Sequence, residues 1–91
     1  MLKRSPMRNG RTRVTFSLPT DQPPGAVSVV GDFNDWKPGR HELTRKKNGV
    51  RSVTADLGSG SHRFRYLAAD DVWFDDPAAD QVDGSGSVIV V

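Results

Sequence analysis

Two tryptophans, two histidines and a run of aspartates are the side chains of this 91-residue chain with chemistry to offer beyond holding a fold. The histidines, His41 and His62, lack the spacing of metal ligands: His62 precedes a strand and is placed to bond backbone, and His41 lies in a turn region. Asp75 and Asp76 are adjacent, so on an extended chain their carboxylates point to opposite faces and cannot flank a glycosidic bond as acid and base. Asp70, Asp71, Asp75, Asp76, Asp80 and Asp83 lack the spaced ligands and glycine of a calcium loop, and read as a solvated face or as partners for the basic N-terminal segment. The absence of cysteine removes disulfides, thiolate zinc sites and cysteine nucleophiles together. No cofactor or metal is implied, and the chain reads as a binding module rather than an enzyme.

The tryptophans are placed by the register of a hairpin. Phe64, Tyr66 and Ala68 alternate with Arg63, Arg65 and Leu67, and Val72-Trp73-Phe74 returns after a short acidic turn. With Ala69, Asp70 and Asp71 as a three-residue loop, Ala68 opposes Val72, Leu67 opposes Trp73 and Tyr66 opposes Phe74. Phe64, Tyr66, Ala68, Val72 and Phe74 then share an apolar face, while Arg63, Arg65, Leu67 and Trp73 share the outer one. An exposed indole beside a cation marks a binding surface; the competing reading covers Trp73 with the N-terminal segment or the Asp75-Asp76-Pro77 loop. Trp36 ends the run Val29 to Trp36, where a strand stops at Gly31 and turn-forming Asp and Asn residues follow. Phe33 there reads as a plug at the end of the fold, and Trp36 as either a shield for its loop or a second binding platform.

Period-two alternation also dominates elsewhere. Val14, Phe16 and Leu18 mark one strand, stopped at Pro19 and the Gln22-Pro23-Pro24-Gly25 turn; Ala26 to Val30 marks another. Asn48-Gly49 is a hairpin tip between Leu43 to Lys46 and Val50 to Leu57, where Val53, Ala55 and Leu57 share a face, and Val88 to Val91 makes a last strand. Six to eight short strands without an intervening helix predict an all-β, immunoglobulin-like antiparallel sandwich of the early-set type over residues 11–91. Residues 1–10, with Lys3, Arg4 and Arg8, read as a basic tail. A chain of this length forms one domain with a thin core and no deep cleft. At 26% charged and 35% hydrophobic it does not have the composition of a disordered chain.

The run G-D-F-N-D-W at Gly31 to Trp36, Leu43-Thr44, G-S-G-S-H-R-F-R-Y at Gly58 to Tyr66 and W-F-D-D-P at Trp73 to Pro77 resemble, in that order, carbohydrate-binding module family 48. That family includes the glycogen-binding domain of the AMP-activated protein kinase β subunit and the early-set domains preceding isoamylases and glycogen branching enzymes. The resemblance implies a weak, non-catalytic α-glucan binder of glycogen or maltooligosaccharides. Trp36 and Trp73 would be stacking platforms, Arg65 the basic residue between them, and Asn34, Asp35, Ser85 or Ser87 hydrogen-bonding partners of the sugar hydroxyls. The chain departs from the family near the final strand. Where the family carries Thr and Asn, this chain has Gly84 and Gly86, and only Ser85 or Ser87 could replace their bonds.

That departure supports a second reading, an early-set module that has lost glucan binding and docks on a protein through the same face. The basic N-terminus and Arg45-Lys46-Lys47 raise nucleic acid as a partner, but with six opposing aspartates they read as solvated charge rather than a phosphate site. The chain's start lacks the apolar core of a signal peptide, and its longest apolar run, Val88 to Val91, is too short to span a bilayer. The expected setting is the cytoplasm, with an unidentified protein partner.

Overall fold

The computed structural model describes residues 2–20, 23–46 and 48–91. Among these, nine strands are formed: β1 (Leu2–Pro6), β2 (Thr12–Pro19), β3 (Val27–Gly31), β4 (Thr44–Arg45), β5 (Val50–Leu57), β6 (Ser61–Ala68), β7 (Val72–Phe74), β8 (Gln81–Asp83) and β9 (Gly86–Val90). One sheet runs β1-β2-β5-β4; the other runs β3-β6-β9-β8, with β7 also pairing β6. Every pairing is antiparallel, which makes the molecule the expected two-layer β-sandwich. Among the described residues no helix is long and apolar enough to cross a membrane.

Alternation builds the core. Val14 and Phe16 of β2 and Ala55 and Leu57 of β5 face Val27 and Val29 of β3, Phe64 and Tyr66 of β6 and Ile89 of β9 across the layers. Burying such side chains stabilises by roughly 1.5–3 kcal/mol each. Their rings interlock: Phe64 meets Phe16 edge-on at 5.1 Å and Tyr66 at 5.8 Å, and Phe74 stacks on Tyr66 at 5.1 Å. Phe33 stacks on Phe16 at 6.0 Å and so plugs one end of the sandwich, as expected. His62 bonds backbone, its Nε2 lying 2.7 Å from the Gly58 carbonyl oxygen.

One buried polar contact fixes the exit of β7. The Tyr66 hydroxyl donates to Asp76 Oδ2 at 2.6 Å, and Asp76 Oδ1 accepts the Ala78 amide at 2.8 Å. Burial, reinforced by the adjacent carboxylate, pushes the Tyr66 phenol far above its ordinary range. The phenol therefore stays protonated and keeps donating.

The N-terminal segment is not a tail. Leu2 to Pro6 pairs with Phe16 to Thr12 as β1, and Arg4 bridges to Asp80 at 2.7 Å, joining the edges of the two sheets. Its sequence hides this because only Leu2 packs on the core, so the ladder to β2 rather than an apolar alternation creates the strand. β8 is equally hidden: three residues, closed by the Gly84-Ser85 turn and by Arg63, whose guanidinium grips both oxygens of Asp83 at 2.8 and 3.1 Å. Asp75, Asp76, Asp80 and Asp83 of the acidic stretch thus have internal partners, and Asp70 and Asp71 are exposed. Of the Gln22-Pro23-Pro24-Gly25 turn, Gln22 lies outside the described residues, as does Lys47 beside the Asn48-Gly49 tip; buried Arg51 donates to the Pro23 and Gly25 carbonyls, both at 2.6 Å.

Replacing Tyr66 by Phe leaves the Asp76 carboxylate buried without its phenol donor. Urea unfolding of Y66F is expected to show a loss of about 1.5–3 kcal/mol, the range for a hydrogen bond to a charged group; an unchanged midpoint would contradict the role given to this contact.

Candidate functional site

The outer face of the second sheet is read directly from its pairings. Leu67 opposes Trp73 on one side and Ser28 on the other, so Ser28, Leu67 and Trp73 form one row across β3, β6 and β7. Arg65 lies two residues from Leu67 on β6, on the same face. The hairpin register matches the sequence expectation at all three pairs, and Trp73 is 46% exposed. It is therefore half-exposed rather than enclosed.

Arg65 is half-buried and held. Its Nη2 donates to the Gly84 carbonyl at 2.8 Å, and its Nε lies 3.5 Å from Asp75 Oδ1. The side chain runs past Gly86, where a Cβ would stand 3.3 Å from Arg65 Cγ and Nε and 3.1 Å from the Phe64 carbonyl oxygen. Gly86 also has φ near +127°, a conformation that favours glycine.

Trp36 is delivered by a tightly specified loop. Gly31 starts it because a Cβ there would meet the Arg63 carbonyl oxygen at 2.4 Å. Asn34 then folds the chain back: its Oδ1 accepts the Gly31 amide at 3.0 Å, and its Nδ2 donates to the Val29 carbonyl at 3.0 Å and to His41 Nδ1 at 2.9 Å. Asp35 and Trp36 follow in consecutive left-handed conformations, φ 57° and 56°, with the Trp36 amide bonded to the Gly31 carbonyl at 2.9 Å. A bulky residue in that region costs of order 1–3 kcal/mol and persists only where the surroundings over-determine it. The indole it projects is 40% exposed. Further on, the Gly39 amide donates to Ser28 Oγ at 3.1 Å, and the chain returns along β3 through Val29–His41 and Leu43–Val27 backbone bonds. The Trp36 loop is therefore fastened to the end of the row that holds Trp73.

Two residues expected to bond a ligand do not reach the surface. Asn34 is 3% exposed, with its amide committed to the loop's own backbone and to His41. Ser87 is 0% exposed; its hydroxyl accepts the Asp76 amide at 2.9 Å and donates to Asp75 Oδ1 at 3.0 Å. Both are structural because a chain turning inward must satisfy its own polar groups. Ser85 stays exposed at the tip of the β8–β9 turn, next to the Gly84 carbonyl that holds Arg65, and Asp35 is exposed beside Trp36. Sequence reasoning gave Asp75, Gly86 and His41 no contact with Arg65 or with the Trp36 loop. The backbone contact of His41 and the clearance at Gly86 depend on chain segments far apart in sequence, and no local pattern announces them.

A second concavity, about 600 Å³, opens between the sheets on the other side of β7. Leu18, Pro19, Val50, Phe74 and Pro77 line it, and neither indole does.

The His41 ring, packed edge-on against Phe33 at 5.5 Å, is held below the ordinary imidazole range by burial and, secondarily, by Arg40. Because Nδ1 accepts a bond from Asn34, protonation there removes the acceptor. The unfolded chain takes up the proton at higher pH than the folded one, so stability is complete above the unfolded value near 6.5 and declines as pH falls from there through the folded value. NMR titration is expected to place His41 below 6.5, with the Asp35 and Trp36 amides shifting on the same curve; a normal or raised His41 value would overturn the assignment.

A family model for the glycogen recognition site of AMP-activated protein kinase matches residues 7–91. A 40-residue stretch, 44% of this chain, is 35% identical to the 1,4-alpha-glucan branching enzyme GlgB 2 of Xanthomonas campestris pv. campestris strain 8004, and covers 6% of that enzyme. A stretch of the same length is 38% identical to the 1,4-alpha-glucan branching enzyme GlgB of Thermosynechococcus vestitus, covering 44% of this chain and 5% of that enzyme. The matched stretch is thus a small fraction of these curated relatives.

Proposed function

The chain belongs to the family of the glycogen recognition site of AMP-activated protein kinase, and from that membership we propose that it is a non-catalytic module binding α-glucan by stacking glucose on Trp36 and Trp73. The observation that carries this reading is the pair of partly exposed indoles, one on a sheet row and the other on a loop tied to that row. Neither position is one a small domain would favour for packing alone. Trp36 is presented from a left-handed backbone that costs free energy, and Trp73 gives nothing to the core.

A pyranose ring has a face of C–H groups that packs on an indole and a rim of hydroxyls that needs hydrogen-bond partners. Arg65, on the same outer face as Trp73, and the exposed Ser85 and Asp35 supply those partners. No bond is broken. Two stacking contacts of roughly 1–2 kcal/mol each, less the cost of ordering a flexible chain, correspond to weak affinity, about micromolar to millimolar. Attachment then depends on a second contact, which a protein partner would supply. The names of the branching-enzyme relatives specify 1,4-alpha-glucan, which makes a linear maltooligosaccharide the probe of choice. The basic residues that raised nucleic acid are partly occupied: Arg4 pairs with Asp80 and Arg13 with Asp56. The lack of cysteine suits a reducing setting, and we assign the module to the cytoplasm.

A protein-docking role without sugar is the second reading. It is favoured by the missing side chains at Gly84 and Gly86 and by the apolar cleft beside Phe74. Titration with maltoheptaose, followed by tryptophan emission and amide shifts, separates the two. W36A and W73A are each expected to bind about five- to thirtyfold more weakly while unfolding at nearly the wild-type temperature. No wild-type response at about 10 mM sugar would reject the glucan reading and leave the docking one.

A further inference from the structure

Gly84 and Gly86 remove two side chains from the face where the ligand would sit, yet both are used. The Gly84 carbonyl accepts from Arg65 Nη2, and the bare Cα of Gly86 is the surface over which the Arg65 side chain lies. Asp75 completes the enclosure as an ion pair, its Oδ1 3.5 Å from Nε, which is buried and makes no hydrogen bond of its own among the described residues. That carboxylate is itself fixed by the buried Ser87 hydroxyl at 3.0 Å, and Ser87 is fixed in turn by the Asp76 amide at 2.9 Å. The chain of contacts therefore begins in the interior and ends at a guanidinium on the surface.

We propose that Asp75 and Gly86 are positioning residues that immobilise the Arg65 guanidinium flat on the outer face, so that its Nη1 stands as a fixed donor toward a glucan hydroxyl. This rests on the reading of that face as the sugar surface. Nη2 is committed to Gly84, and Nη1 is left without a partner among the described residues. An arginine has the rotamer freedom of a long side chain, and ordering it on binding would subtract from an already weak interaction. Holding it beforehand removes that cost. A planar fork anchored along one edge also presents its free edge in a single direction, which a lysine ammonium on a flexible stem does not. The two glycines thus exchange side-chain donors for one preset donor. A Cβ at position 86 would crowd Arg65 Cγ and Nε at 3.3 Å and make the side chain shift by a few tenths of an ångström.

The test has one arm without sugar and one with it. In the free chain, the Arg65 Nε–H is expected to give a sharp, exchange-protected NMR signal. Asp75→Asn keeps an oxygen for the Ser87 hydroxyl but removes the charge facing Nε, and should cost the signal its protection. In the second arm, D75N, G86A and R65K should each weaken maltoheptaose binding about three- to tenfold. The tryptophan emission of the free protein should stay unchanged, and D75E should recover part of the loss. G86A also strains a backbone with positive φ, so D75N alone decides the matter if G86A unfolds. An unaltered Arg65 signal in D75N overturns the clamp. Normal sugar binding by D75N overturns its positioning role while leaving the glucan reading intact. A wild-type chain that ignores maltoheptaose overturns the glucan reading and this role together, recognisable because the Arg65 signal stays protected.

Discussion

The register of β6 is the constraint on which both the core and the surface depend. It is the strand that pairs with β3, β7 and β9, and its alternation sends Phe64, Tyr66 and Ala68 inward and Arg63, Arg65 and Leu67 outward. A slip of one residue would carry two guanidiniums into the layer between the sheets and lift two aromatic rings into water. The phenol–carboxylate contact between Tyr66 and Asp76 opposes such a slip from the inside, and the Arg63–Asp83 fork opposes it from the outside. One decision about sidedness therefore builds the hydrophobic interior and the outward row that carries Leu67 and Trp73.

The parts of this arrangement legible in the sequence are those where a local pattern and the tertiary outcome agree. The β6–β7 hairpin could be read pair by pair because alternating residues flank a short turn, and Asn48-Gly49 marked the β4–β5 hairpin for the same reason. β1 and β8 were illegible because neither carries an apolar period: one is held by a ladder and an arginine, the other by a turn and an arginine. Candidate site residues divide along a similar line. Trp73 and Arg65 follow from the hairpin register, whereas Trp36, left open between loop shield and platform, is placed only by the folded loop. Asn34 and Ser87 are small polar residues that look alike in sequence whether they face water or satisfy buried backbone, and here they do the latter.

The electrostatics follow the same economy of means. Asp56, Asp80 and Asp83 are all held below the ordinary carboxylate range: Asp56 and Asp83 mainly by hydrogen bonds from arginines, Asp80 mainly by the Val90 amide. Exposed pairs of this kind are screened by solvent and add little stability. Their contribution is spatial, since Arg4–Asp80 ties sheet to sheet and Arg63–Asp83 ties β8 to its neighbours. The acidic run, read in the sequence as a solvated face or as partners for the basic segment, divides in the fold: Asp75, Asp76, Asp80 and Asp83 make separate contacts, while Asp70 and Asp71 are exposed.

β1 has a consequence for how this domain behaves in a crowded solution. It is the outermost strand of its sheet and carries Lys3, Arg4 and Pro6 along that border, charges and an imino acid that make a poor template for another chain's backbone. The strand behind it, β2, is eight residues long and centred on Phe16. Without the first six residues the eight-residue β2 would itself be the border of the sheet, with the backbone groups that now pair β1 left open to solvent.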